Sequence, residues 1–293
     1  MPTFNPDNVL VKDSLQGQFT GSMAEQVIEK VAEESVVTRL GQYVEMDGKQ
    51  KITKPVYLDT IGAYWVGETE KIQTSKPEIR DITLEAHKIG VIIPASREFL
   101  TYTWTDFFDE VKDDIAKAFL RKFDDEVVNG TGNIFANSIA SALEASGHVV
   151  EGDLTFENIL AVEDHLYDSE IEPKAFISNV TNTSALRTAV DERGNSVFER
   201  NVSIDGLPYV NSSSVDRGEL IVGDFDKLLY GVPYSIEFEV SKEAQLSTIT
   251  NEDGSPVNLF EQDMLALRAT IDVAALIIKE DAFAAVQSET PEV

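Results

Sequence analysis

Cysteine is absent from the 293 residues. That excludes a disulfide framework, a thiol nucleophile and any Cys-ligated zinc or iron–sulfur centre. Positive charge is scarce, with 24 Lys+Arg against 52 Asp+Glu and a formal net charge of −28. Proteins that grip nucleic acid regardless of sequence do so by placing cations on phosphates, so this balance argues against that activity. It argues equally against a polybasic attachment to anionic lipid. No run approaches the roughly 18 apolar residues of a membrane span. The opening Met1-Pro2-Thr3-Phe4-Asn5-Pro6-Asp7 lacks the basic and apolar regions of a signal peptide. The expectation is an intracellular, soluble, acidic protein.

Signals for catalysis are equally thin. Only three histidines occur, His87, His148 and His165, far apart in the chain and in unlike surroundings. None has the spacing of a metal-binding pair, so a structural or surface role is expected for each. Gly130-Thr131-Gly132 begins a dinucleotide-type glycine pattern, but Phe135 stands where the third glycine belongs. The pattern also follows a helical stretch instead of a strand, which makes it a helix stop. Neither a phosphate-binding P-loop nor a GxSxG elbow is present. The acidic turns at 191–195 and 251–254 lack the glycine register of a calcium loop. With 52 carboxylates and only two Trp, no pair stands out for glycoside hydrolysis, and an acidic hydrolase is the weakest functional alternative. The sequence assigns no catalytic residue, no metal ligand and no cofactor.

Hydrophobic residues make up 42 % and charged residues 26 %, enough for one large globular domain or two moderate ones. Residues 1–20 read as an extended arm. From Met23 the apolar spacing is helical, with Ser22 and Glu25 forming a capping box, and it fades near Ser35-Val36-Val37. Residues 42–93 read as paired strands, most of them polar, with the turn dipeptide Asp47-Gly48. A long polar two-stranded segment cannot bury enough to stand alone, so it needs a surface on the chain or on another subunit. Phe108, Val111, Ile115, Phe119, Phe123 and Val127 then form one apolar stripe of a long helix capped by Thr103 or Thr105, with acidic residues on its other faces that read as a solvated surface. An alternation of helices (154–167, 182–190) and short strands (174–178, 207–210, 220–224, 228–231) follows. A run rich in Ala, Leu and Ile closes the chain at 264–278, and 286–293 reads as a tail. Trp65, by single-residue odds, belongs in a core; as an interface anchor it would be a hot spot.

Several segments, read in order, resemble the major capsid proteins of tailed bacteriophages with the Hong Kong 97-type fold, especially those of long-tailed phages of Gram-positive hosts. Gly62-Ala63-Tyr64-Trp65-Val66-Gly67-Glu68-Thr69-Glu70-Lys71-Ile72 with Ser75-Lys76-Pro77 resembles a stretch of the family's E-loop. Residues 88–100 resemble the strand that leads into its spine helix. Residues 176–194 and 223–231 resemble its axial domain, and 258–269 its return strand.

The resemblance implies an α+β fold with an N-terminal arm and first helix (1–40) and an E-loop hairpin with flanking strands (41–93). It further implies a peripheral domain with the spine helix (94–139 and 256–285), an axial domain (140–255) and a tail (286–293). It implies a shell protein that assembles with itself into hexamers and pentamers, closing an icosahedral head around double-stranded DNA. With about 20 residues before the first helix, a separate scaffolding protein is expected, alongside a portal protein. The implied location is the virion, after assembly in the host cytoplasm, with no membrane. The candidate inter-subunit residues are Trp65, Glu68, Glu70, Lys71, Arg80, Arg97 and Arg268; Arg39 and Lys88 are further cations that suit neighbouring acids. An encapsulin-type nanocompartment on the same fold is the alternative.

Overall fold

The computed structural model describes residues 35–57, 63–68, 71, 74, 79–103, 106–190, 194–199, 202–251 and 254–288. The expected arm and the helix from Met23 to residue 34 lie outside them. Where that helix was expected to fade, a short helix α1 (Val36–Leu40) begins instead, with Ser35 as its N-cap. β1 (Gln42–Tyr43) and a turn at Asp47-Gly48, both with positive φ, lead to β2 (Lys51–Tyr57). β2 pairs antiparallel with β3 (Ile79–Glu85), from Lys51 opposite Glu85 to Tyr57 opposite Ile79. One residue, Ala86, separates β3 from β4 (His87–Ser96).

A π-helical turn (Phe99–Thr103) precedes the long helix α2 (Phe107–Asn129). Ile115, Phe119, Phe123 and Val127 are buried on it, while Phe108 and Val111 pack partly buried against the core, as their spacing predicts. Two expectations about α2 are overturned. Its N-cap is Asp106, without a side-chain cap bond, in place of Thr103 or Thr105. Its acidic faces are not all solvated, because Asp124 and Glu126 are buried. Gly130 ends α2 in the left-handed conformation (φ 64°), where a Cβ would strain.

A helix the sequence reading omitted follows, α3 (Ile139–Ser146), opened by a reciprocal Ser138–Ser141 capping box. Then come β5 (Val149–Glu151), α4 (Phe156–Asp168) capped by Thr155, and the fully buried β6 (Ala175–Ser178). The helix expected at 182–190 is shorter: a 3-10 turn and α5 (Thr183–Leu186). The remaining strands are β7 (Phe198–Glu199), β8 (Ser203–Ile204), β9 (Leu207–Asn211), β10 (Glu219–Gly223), β11 (Leu228–Gly231), β12 (Glu237–Ser241), β13 (Gln245–Thr250), β14 (Pro256–Asn258), β15 (Met264–Ile277) and β16 (Phe283–Gln287).

Two sheets organise the chain. One has seven strands in the order β5-β16-β10-β6-β9-β8-β7. The other runs β1-β11-β15-β12, with β4 also on β15. β15 is the axis of the second sheet. Leu267, Ala269, Ile271, Val273, Ala275 and Ile277 alternate along one face and enter the main core with the stripe of α2. The expected domain limits cross these sheets. β11 and β12, from the 140–255 stretch, pair with β15, whereas β16 lies inside the seven-stranded sheet. Val286, expected at the start of the tail, is fully buried in β16.

Candidate assembly surfaces

The hairpin of β2 and β3 is anchored at one end and bare at the other. Ile52, Ile82 and Leu84 join Val44, Met46, Leu229 and Ala274 in a small apolar cluster that fixes its base to the body. Tyr234 Oη donates to Gly48 O at 2.5 Å beneath it. Within this anchored part the ladder also carries polar cross-strand pairs: Thr53 with Thr83 at 3.0 Å, and, at the end nearest the body, Lys51 Nζ donating to Glu85 at 3.0 Å. Lys51 draws the Glu85 carboxyl below the usual range. Such exposed pairs contribute little to stability. Beyond the Lys54–Ile82 pair, Val56 and Ile79 join no apolar cluster of the body among the described residues.

The hairpin also differs from the rest of the chain in charge. Residues 47–85 hold 6 Lys/Arg and 7 Asp/Glu, close to neutral in a chain of net charge −28. On the stretch between its strands, Tyr64, Trp65 and Val66 are exposed, and Trp65 reaches 105 % of its reference area. This overturns the core expectation for Trp65. Glu68 and Lys71 are exposed near it, and Arg80 is exposed on β3 opposite Val56. Glu70 lies outside the described residues.

Two candidate cations are already engaged within the chain. Arg97 Nε meets Asp263 at 3.0 Å, tying the end of β4 to the turn before β15. Arg268 pairs with Glu239, directly opposite on β12. Both pairs are exposed, so their net contribution is small. Arg39 and Lys88 are exposed.

Buried charge elsewhere is structural in geometry. Asp124 accepts from Ser35 Oγ (2.7 Å), Val36 N (3.0 Å) and Val37 N (3.3 Å), placing a carboxylate at the start of α1. Burial raises its pKa, and those three hydrogen bonds partly oppose the rise. Glu126 accepts from Gly132 N (2.8 Å) and Ile134 N (2.7 Å), fixing the loop after α2. Spacing alone gave no sign of these two roles, because the NH groups that each carboxylate accepts become its partners only through the fold. The three histidines are not all apart. His148 and His165 stack with ring centroids 5.5 Å apart, while His87 meets Phe135 edge-on. Among the described residues, no three His, Asp or Glu side chains are grouped to hold a metal ion.

The arrangement is one of surfaces, with an anchored, protruding, nearly neutral hairpin as its most distinctive part. Residues 21–288 match the model of the phage capsid family. The major capsid protein of Staphylococcus phage 80alpha is 48 % identical over 286 residues, 96 % of this chain and 88 % of that protein. Among solved structures, a chain from Microbacterium phage Oxtober96 superposes with a TM-score of 0.74 at 21 % identity, covering 94 % of this chain and 96 % of that one. One from Mycobacterium phage Adephagia gives 0.73 at 20 %, covering 95 % and 96 %. These two likenesses speak for the fold. The chain belongs to the phage capsid family: it is a structural capsid protein with the α+β fold of the Hong Kong 97 type.

Proposed function

We propose that this chain builds the icosahedral head shell through its β2–β3 hairpin, which crosses from each copy onto a neighbour. The carrying observation is the bare outer hairpin, with Trp65 in water and its base fixed to the body. An isolated ladder of this kind is marginal in water and gains stability only on a partner surface. Hexamers and pentamers of the chain are the assembly units, formed in the host cytoplasm with a separate scaffolding protein and a portal protein. The shell then encloses double-stranded DNA. The acidity fits a container, because walls of net negative charge do not hold phosphates. The regions 1–40, 41–93, 94–139 with 256–285, and 140–255 serve as arm, E-loop, peripheral domain and axial domain, with β11, β12 and β16 exchanged as the sheets require. No catalytic residue is assigned. The comparisons lend no support to a nanocompartment.

The test shortens the hairpin above its anchor. Lys54 and Ile82 are register partners, so an Asn-Gly turn replacing residues 55–81 joins them without disturbing the base. The shortened chain is expected to unfold at the temperature of the full chain yet form no shells by negative-stain microscopy. Normal shells from it would refute the role of the hairpin.

A further inference from the structure

A groove of about 280 Å³ opens between the start of β4, the C-terminal turns of α2 and the loop after it. Its walls are Ile89, Phe123, Ile134, Phe135 and Val273. Phe123 is buried at the floor, and Phe135 stands edge-on to it with centroids 5.8 Å apart. Ile134 is half exposed at the mouth. The groove is preformed, because the Glu126 carboxylate holds the backbone of Gly132 and Ile134 in place.

We propose that this groove receives Trp65 from a second copy of the chain. The inference rests on the assembly reading above and names where the hairpin lands. Three observations carry it. First, a cavity of about 150 Å³ is enough to hold a benzene ring, so this one has room for an indole. Second, Trp65 is a large aromatic that is fully exposed among the described residues, flanked by the exposed Tyr64 and Val66. Aromatic anchors seated in partner pockets are the typical energetic centres of interfaces. Third, the charges agree. Lys88 and Lys122 border the groove, where the Glu126 carboxylate is already engaged by backbone NH groups, and Glu68 follows Trp65 on the knob, with Lys71 beyond it. Lys122 is held by Asp125 at 3.2 Å, while Lys88 makes no ion pair among the described residues. Knob and groove are different patches of one surface, so repeated head-to-tail contacts between copies join rings where the rotation closes.

The absence of cysteine makes a direct test possible. Val66→Cys leaves Trp65 in place, and Ile134→Cys stands at the groove mouth. The two single variants are assembled together, oxidised mildly and run on non-reducing denaturing gels. A band near twice 32.4 kDa is expected from the mixture and from neither variant alone. A control mixture of Val66→Cys with Val202→Cys, exposed elsewhere on the chain, is expected to give none. Mixed shells without the dimer band overturn the docking site while leaving the assembly reading intact. If the unsubstituted chain forms no shells even with its scaffolding protein present, both readings fall.

Discussion

At the scale of single residues, Asp124 joins segments 89 positions apart by capping α1 from the middle of α2. Removing it leaves the Ser35 hydroxyl and two backbone NH groups without their acceptor. Asp124→Ala is therefore expected to cost about 1–3 kcal/mol, read as a lower urea midpoint, with Asp124→Asn in between. Glu163 acts in the opposite sense. It is buried on α4 with one carboxylate oxygen lacking a hydrogen-bond partner. Burial, with the charges of Asp205 and Asp164 nearby, raises its pKa from 4.5 to about 7. The folded state thus binds its proton more tightly than the unfolded chain. Stability from this group is highest below pH 4.5, falls as the pH rises through 7, and stays low above it. Glu163→Gln is expected to remove that slope and to stabilise the protein at pH 8 by on the order of 2 kcal/mol. Denaturant unfolding at a series of pH values, parent against variant, reads both; parallel curves would refute the assignment.

At the scale of elements, the stripe of α2 is the best-determined feature. Phe119 is 4 % exposed between the stripe and the core. Phe119→Ala is expected to destabilise by about 3–5 kcal/mol in chemical denaturation. That stripe was legible in the sequence because a 3.6-residue period over a 23-residue helix is hard to mimic. β15 carried an equally regular signal, alternate apolar residues from Leu267 to Ile277, but its Ala-rich composition blurred the distinction from a helix. The strand partners were not legible. Pairing β11 and β12 with β15, and β16 with β10, depends on contacts across the fold that no local pattern encodes. Asp124 and Glu126 were misread for a related reason: charged residues at helical spacing look solvated until their NH donors arrive from elsewhere. Trp65 was ambiguous because its neighbours Tyr64 and Val66 suit a core strand as well as a protruding knob.

At the scale of the whole molecule, the net charge of −28 opposes bringing copies together, and the nearly neutral hairpin is the part that approaches at least electrostatic cost. Screening lengths fall from about 30 Å at 0.01 M salt to about 3 Å at 1 M. Assembly followed by light scattering is accordingly expected to start at lower protein concentration as salt rises; the reverse dependence would mean that attraction between opposite charges dominates. The single-residue joint at Ala86 has a mechanical consequence. β3 runs almost directly into β4, and β4 pairs along ten residues with β15. The three paired positions outside the anchor, Pro55–Tyr57 with Ile79–Asp81, form a lever of about 10 Å, at about 3.3 Å per residue, whose fulcrum is the cluster around Met46 and Leu84. A neighbour that deflects the tip applies torque to β15 itself, so the angle between adjacent subunits and the twist of the second sheet are linked.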